Sequence, residues 1–197
     1  MRKLIYQNTF NDADVLIPIG YSLGYSSSDI FTIQTSKSYV ELSNENLIII
    51  WTRIKNGAFI YSDLCDLLLN KIDIFELNNL LSELIDCGLL IRSNNDSLSI
   101  YDSLENIIPI SQGYGLGYIS NDSSIFTILQ NNTNINIDAT DSMLWTLANG
   151  YNSYADIINL ALCTTNNENN SILKCSLKEN LGSSTLTCLA NNLIYLL

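Results

Sequence analysis

The spacing of hydrophobic residues changes after about residue 42, from the alternation typical of strands to the spacing typical of helices. Short runs rich in aromatic and β-branched residues, separated by Ser-rich turns, occupy residues 20–25, 29–34 and 38–42. Runs of this kind predict a small antiparallel meander of three strands. Apolar residues at helical spacing then predict three helices, over 44–55, 62–70 and 73–86.

The predicted helices carry start and stop signals. We expect Ser43 to cap the first helix and Asn56-Gly57 to end it. Asp73 and Glu76 resemble a capping box at the start of the third helix, which Gly88 ends. One apolar stripe follows the third helix, formed by Leu77, Leu80, Leu81 and Leu84.

The pattern occurs twice. The tripeptide Ile-Pro-Ile at 17–19 recurs at 108–110, and Trp51 with Asn56-Gly57 recurs as Trp145 with Asn149-Gly150. A repeat of this length indicates a duplicated domain, since solenoid units are shorter. We therefore predict an α+β chain of two units, 14–95 and 105–197, each with a three-stranded antiparallel sheet and three helices.

The second copy departs from the first in its third helix. An insertion is predicted near 163–182, and it contains the apolar residues Ile172, Leu173, Leu177 and Leu181. Residues 185–192 are then expected to supply the counterpart of the third helix of the first copy.

The net charge limits the kinds of partner that this protein can bind, and the cysteines indicate the compartment in which it works. The net charge of −11 repels phosphate backbones and anionic membrane surfaces, so we expect neither nucleic acid nor a membrane as a partner. We expect no targeting segment, and no apolar run is long enough to span a bilayer. The five cysteines are widely spaced and lie mostly in apolar runs. They are typical of buried, reduced thiols, and they favour a cytoplasmic location.

Catalytic chemistry has few candidate residues. The chain lacks histidine, which excludes Ser-His-Asp and Cys-His catalysis, and it lacks any CxxC pair. The glycines at 113, 115 and 117 have no strand before them and no helix after them, so we interpret them as strand residues. Two carboxylate pairs lie at predicted helix starts, namely Asp63 with Asp66 and Asp138 with Asp141. There they accept hydrogen bonds from the N–H groups of the first turn and interact favourably with the helix dipole. The sequence therefore predicts a protein that is not an enzyme and that uses no cofactor or metal.

Three segments of each copy together resemble the PqqD-like family of RiPP recognition elements. In the first copy they are Tyr39-Val40-Glu41-Leu42-Ser43, the stretch from Asn56-Gly57 to Asp63-Leu64, and residues 84–90 (LIDCGLL). In the second copy they are Ile135-Asn136-Ile137-Asp138, the stretch from Asn149-Gly150 to Asp156-Ile157, and residues 189–194. The resemblance covers nearly the whole chain, as two tandem copies. It implies two winged-helix-like domains.

The resemblance implies a function in natural product or bacteriocin biosynthesis. Such a domain captures the leader of a ribosomally made precursor peptide as an extra strand and presents it to a modifying enzyme. A free sheet edge can bind a peptide in this way. The residues expected to bind the peptide are Lys37, Ser38, Tyr39, Val40, Glu41 and Leu42, with Leu77, Leu80, Leu81 and Leu84 along a groove, and Thr133, Ile135 and Ile137 in the second copy.

Several alternatives stay open at this point. The alternative for the four leucines, which the size of the domain favours, is that all of them are core residues, because a domain of about 80 residues needs most of its leucines inside. The tyrosines at 21, 25, 114 and 118 fit either an aromatic binding face or ordinary sheet packing. The chain as a whole could instead be a winged-helix transcription regulator, which its acidic third helix disfavours. A scaffolding subunit or a homodimer is a further option.

Overall fold

The computed structural model describes residues 10–68, 71–119, 124–164 and 171–197. The predicted end of the second helix at 69–70 and the Asn-rich stretch 166–170 lie outside these residues. The elements of the first copy are β1 (Val15–Pro18), β2 (Tyr21–Tyr25), β3 (Phe31–Gln34), β4 (Tyr39–Leu42), α1 (Glu45–Ile54), β5 (Phe59–Ile60), α2 (Tyr61–Leu68), α3 (Ile74–Asp86) and β6 (Leu90–Ser93).

A connecting helix and a second set of elements follow. They are α4 (Ser97–Leu104), β7 (Pro109–Ser111), β8 (Tyr114–Tyr118), β9 (Phe126–Gln130), β10 (Thr133–Ile137), α5 (Ala139–Leu147), α6 (Tyr154–Thr164), α7 (Ser171–Ala190) and β11 (Ile194–Leu196). The chain is thus α+β, as predicted, with small antiparallel sheets and seven helices in the part that the structure describes.

The two meanders are built alike. The sheets run in the orders β2-β3-β4 and β10-β9-β8, and each has a bulge in its first strand, between Ser22 and Gly24 and between Gly115 and Gly117. A Cβ on Gly20 or on Gly113 would collide with the isoleucine of the neighbouring strand, Ile33 or Ile128. Both glycines also have positive φ, a backbone conformation that other residues rarely adopt. Each position therefore requires glycine for two reasons, the lack of space for a Cβ and the backbone conformation.

The Ile-Pro-Ile tripeptides are not structurally equivalent. Ile17 pairs with Ile91 in β6, whereas the residue in the same place in the second copy is Ile110, which pairs with Tyr195 in β11. Pro18 therefore corresponds to Ser111, and the matching tripeptides are two residues out of register. A shift of two residues keeps every side chain on its own face of the strand, so both registers satisfy the same hydrophobic pattern.

Strand β1 is shared between two hydrophobic cores. Leu16 joins the core of the first copy, which includes Trp51 and α3. Val15, Ile17 and Ile19 join the core of the second copy and α4. Since alternate side chains of a strand point to opposite faces, the small sheet β5-β1-β6 forms a wall between the cores. The predicted boundaries 14–95 and 105–197 stay a prediction.

The third helix of the second copy differs from the prediction. α7 runs without interruption over 20 residues, whereas α3 has 13. Both helices end four residues before the next strand, so the seven extra residues of α7, 171–177, extend the third helix at its start and lie in the predicted insertion. Leu173, Leu177 and Leu181 recur every four residues, a spacing that continues one face of a helix.

The helix caps lie close to their predicted places. Asp73 and Asp138 cap α3 and α5 through hydrogen bonds from backbone N–H groups of the first turn. The cap of α1 is Asn44, not Ser43, because the Asn44 side-chain oxygen accepts a hydrogen bond of 2.9 Å from the Asn46 N–H.

Two further predictions concern the thiols and the membrane. Cys65 and Cys188 are buried, but Cys87, Cys163 and Cys175 are exposed, so the prediction that all five are buried is wrong. The exposed three lie on solvent-facing parts of α6 and α7 and just after α3. Across the described ranges, no helix combines the length and apolar character that a membrane span requires.

Candidate functional site

Both predicted peptide-binding strands lie at sheet edges. Lys37 and Ser38 lie in the turn before β4, and β4 contains Tyr39, Val40, Glu41 and Leu42. Thr133, Ile135 and Ile137 lie in β10, at the edge of the other meander. Peptide binding at these edges stays a prediction.

The four leucines predicted to line a peptide groove are core residues. Leu77, Leu80, Leu81 and Leu84 are all buried, with at most 5% of the side chain exposed. They pack in the cluster that contains Trp51 and Leu16. Because one stripe of α3 faces this core, it has no open side that could form a groove wall. The expectation that these leucines contact a bound peptide is therefore corrected.

An apolar groove opens elsewhere, between the helices of the second copy. It has a volume of about 350 Å³. We call it the helix groove, and it is lined by Met143 and Leu147 of α5, Leu160, Ala161 and Thr164 of α6, and Leu173 and Leu177 of α7. The only polar group among these side chains is the hydroxyl of Thr164. A concave, mostly apolar surface of this size is typical of a binding site.

The helix groove arises from the extension of α7. Leu181 is fully buried against the core, whereas Leu177 and Leu173, on the same face of the helix, are only partly buried. The stripe therefore runs out of the core and becomes one wall of the groove. α3 lacks this extension, so the first copy has no corresponding wall. The four-residue spacing of these leucines was the signal in the sequence that could have revealed it.

A buried polar cluster joins α5 to α7. Asp141 is buried beside Ser184, and burial raises the pKa of its carboxyl group, while the Ser184 hydrogen bond lowers it. Burial also raises the pKa of the Cys188 thiol, to about 12. A thiol with so high a pKa stays protonated at neutral pH and is not a nucleophile. The cluster therefore holds helices together.

The other predicted candidates have structural roles. Asp138 accepts hydrogen bonds of 2.8 Å from the N–H groups of Thr140 and Asp141, as a cap does. Asp63 lies in the first turn of α2. Gly115 and Gly117 lie in β8, as predicted, and the indole of Trp145 covers Gly115. Among the described residues, no group of Cys, Asp and Glu side chains is arranged to hold a metal ion.

Comparison with known proteins gives few matches. No protein-family model and no curated protein matches the sequence. The fold is similar to PKMT2 from Rickettsia typhi in complex with AdoHcy, with a TM-score of 0.41 and 11% identity. It is also similar to a second structure of PKMT2 from the same organism, with a TM-score of 0.35 and 9% identity. Each match covers 93% of this chain and 42% of the other, so this chain spans less than half of PKMT2.

These similarities correct three predictions from the sequence. They are the leader-peptide adaptor, the absence of enzyme activity, and the role in natural product or bacteriocin biosynthesis. The two solved structures are of PKMT2, one of them with AdoHcy, and not of peptide-recognition elements. At these TM-scores the similarity supports no particular activity in their place. The resemblance to the PqqD-like family stays a prediction from sequence.

Proposed function

We propose that this chain is an interaction domain whose helix groove binds one amphipathic helix of a partner protein. The observation that carries the proposal is the extension of α7, which continues an apolar stripe beyond the core and leaves it open to solvent. Apolar surface exposed in a concave groove marks a binding site more often than a folding defect.

The shape and chemistry of the groove favour a helix as the occupant. Three helices form its walls, and an amphipathic helix fills such a groove with side chains at i, i+3, i+4 and i+7. Met143, one of the lining residues, adapts to different apolar side chains, since its side chain is unbranched and flexible.

Charge favours a basic helix. The chain carries a net charge of −11, and in 105–197 the only basic residues are Lys174 and Lys178. Lys178 is held by Asp102, 3.3 Å away, and lies over the ring of Tyr101, so it faces α4. A partner helix with lysines beside its apolar stripe would approach along a favourable field.

The proposal includes the arrangement of strands and helices within each copy. We infer that each copy is a winged-helix-like unit, supported by the equivalent order of strands and helices and by the paired glycines Gly20 and Gly113. In this arrangement the groove is an addition to the common fold, because its third wall is the extension of α7, which the first unit lacks.

The test uses a designed helical peptide with leucines at i, i+3, i+4 and i+7 and lysines elsewhere, titrated into the full chain by calorimetry. We expect saturable binding of one peptide per chain. Leu177→Asp should raise Kd at least about tenfold, which corresponds to about 1.4 kcal/mol. Ile172→Asp adds the same charge in the same part of α7 but lies outside the groove, at 82% exposure, and should leave Kd unchanged.

Three results would count against the proposal. Equal binding to the wild-type chain and to Leu177→Asp would show that the peptide binds by charge alone. A homodimer that Leu177→Asp dissociates would make a second copy of the chain the occupant. Binding of a small apolar dye in the groove without binding of any helical peptide would make the site a small-molecule pocket.

A further inference from the structure

Two exposed tyrosines flank a glutamine in one row across the first meander. Tyr21 of β2 pairs with Gln34 of β3, which in turn pairs with Tyr39 of β4. Directly opposite residues of neighbouring strands point to the same face of a sheet. The adjacent residue of β3, Ile33, is buried in the core, so this row lies on the outer face. There the two tyrosines are 44% and 66% exposed.

The side chains of Gln34 and Tyr21 are both ready to contact a ligand. The side-chain amide of Gln34 forms no hydrogen bond within the described ranges and is only half-buried, so it can donate to a bound molecule. The ring of Tyr21 packs against that of Tyr195 in β11, with the ring centroids 4.8 Å apart. This contact restricts the Tyr21 side chain before a ligand binds, which lowers the conformational entropy lost on binding.

The second meander lacks this row. The equivalent residues are Tyr114, Leu129 and Asn134, which pair in the same way across β8, β9 and β10. A leucine thus stands in place of the central glutamine, and an asparagine in place of the second tyrosine. Because both meanders have the same strand order and the same bulge, the fold does not require Gln34 or Tyr39 at these positions.

We propose that the outer face of the first meander binds a proline-rich peptide in the polyproline II conformation. Neighbouring strands are about 4.8 Å apart, so Tyr21 and Tyr39, two strands apart, are separated by about 9.6 Å. In polyproline II every third residue lies on the same side of the peptide, about 9.3 Å further along. Two prolines three residues apart therefore fit the two rings. The carbonyl groups of such a peptide have no internal hydrogen bonds, so one between the prolines can accept from Gln34.

Charge favours an acidic residue at one end of this peptide. Lys55, at the end of α1, lines a cleft beside Tyr21. Among the described residues, Lys55 forms no ion pair and is the only charged side chain lining that cleft. An acidic residue next to the proline on Tyr21 would therefore meet the opposite charge. Around Tyr39, Lys37 and Glu41 carry opposite charges and favour neither sign.

This mode of binding differs from the addition of a strand to a free sheet edge. The peptide crosses the strands on the outer face and uses no backbone group of β4. The site also lies on the first copy, so it is independent of the helix groove.

The test is a calorimetric titration of the full chain with a blocked peptide in which two proline pairs are separated by one alanine and followed by glutamate. We expect saturable binding of one peptide per chain. Tyr39→Ala should raise Kd at least about tenfold, and Gln34→Leu, which copies the residue of the second copy, should raise it several-fold. Tyr114→Ala removes the tyrosine equivalent to Tyr21 from the second meander and should leave Kd unchanged.

A second peptide, with lysine in place of the glutamate, tests the charge. It should bind the wild-type chain more weakly than the first peptide does, and the difference should disappear in Lys55→Gln. Equal affinity of the two peptides for the wild-type chain would contradict the acidic end of the proposed ligand.

The proposal is overturned if the proline peptide shows no saturable binding even at millimolar concentration. It is equally overturned if a peptide with alanine in place of every proline binds as tightly, which would indicate pairing with a sheet edge, or if Kd is unchanged in Tyr39→Ala. Tyr39 is exposed, so its replacement does not threaten folding. Circular dichroism of Tyr39→Ala, measured beside Tyr114→Ala, verifies this.

Discussion

Gly182 in α7 and Ser97 at the start of α4 touch backbone to backbone. A Cβ placed on Gly182 would lie 2.8 Å from the carbonyl carbon of Ser97 and would overlap its carbonyl oxygen. The glycine lies in the middle of a helix, where it costs about 1 kcal/mol relative to alanine. That cost is offset by the close crossing of α4 over α7, which buries Ile100 and Leu104 against the core of the second copy.

Gly182→Ala is therefore expected to lower the free energy of unfolding, by about 1 to 3 kcal/mol, despite the higher helix propensity of alanine. The rigid backbone of Ser97 cannot move aside as a flexible side chain would. Chemical denaturation measures the change. Ser183→Ala is the matched control on the exposed side of α7, and it should leave stability unchanged or slightly raised. A Gly182→Ala variant as stable as the control would show that the helices can separate without cost.

Asp141→Asn is expected to stabilise the protein at neutral pH. Burial raises the pKa of the Asp141 carboxyl in the folded state above its ordinary value of 3.8, so the folded chain pays to ionise it. The unfolded chain loses this proton more readily, so the penalty grows as the pH rises through these pKa values. The stability gain should thus be present at pH 7 and vanish near pH 3.

The control for this experiment is Asp156→Asn. Hydrogen bonds from Ser153 lower the pKa of Asp156, so its removal should destabilise at pH 7, the opposite sign. Urea denaturation at both pH values measures the two effects. A loss of stability in Asp141→Asn at pH 7 would mean that the bond to Ser184 outweighs the burial of the charge.

Alkaline pH is expected to destabilise the fold through its buried tyrosines, among them Tyr61 and Tyr101. Burial raises the pKa of Tyr61 and of Tyr101 from 10 to about 12. Between these pH values the unfolded chain has lost the phenol protons that the folded chain keeps, so it binds fewer protons and stability falls as the pH rises. The fall should begin near pH 10 and continue towards pH 12. Denaturation along this range should show a shallower fall for Tyr61→Phe, whereas Tyr151→Phe should behave as the wild-type chain.

Arg92→Met is expected to destabilise the junction between the copies by about 2 to 4 kcal/mol. Nε of Arg92 lies 2.6 Å from Oδ2 of Asp14, whose side chain is 5% exposed. Removing the guanidinium leaves a buried carboxylate that, within the part of the chain the structure describes, accepts hydrogen bonds from Asn11 alone. The double variant Arg92→Met/Asp14→Leu should recover most of the loss, because no unpaired charge remains. Equal stability of the single variant and the wild-type chain, by denaturation, would contradict this role.

Local sequence patterns determine much of the secondary structure. The three strands and three helices of the first copy lie within a few residues of their predicted positions, because turn residues, caps such as Asp73 and the α3 leucine stripe act over a few residues. The duplication, too, was visible in the sequence. Short strands such as β5 and β11 were missed, since two or three residues carry no measurable periodicity.

Only the tertiary structure decided which apolar faces are buried in a core and which remain open as the wall of a groove. The leucines of α3 were compatible with a core or a groove, and only packing against Trp51 made them core. The leucines at 173 and 177 became a groove wall because α5 and α6 lie opposite them. The Nε2 group of Gln130 donates to the carbonyl oxygen of Asn192, 62 residues away along the chain. Sequence periodicity tells which face of an element is apolar, but what that face meets depends on contacts between distant segments, which no local pattern encodes.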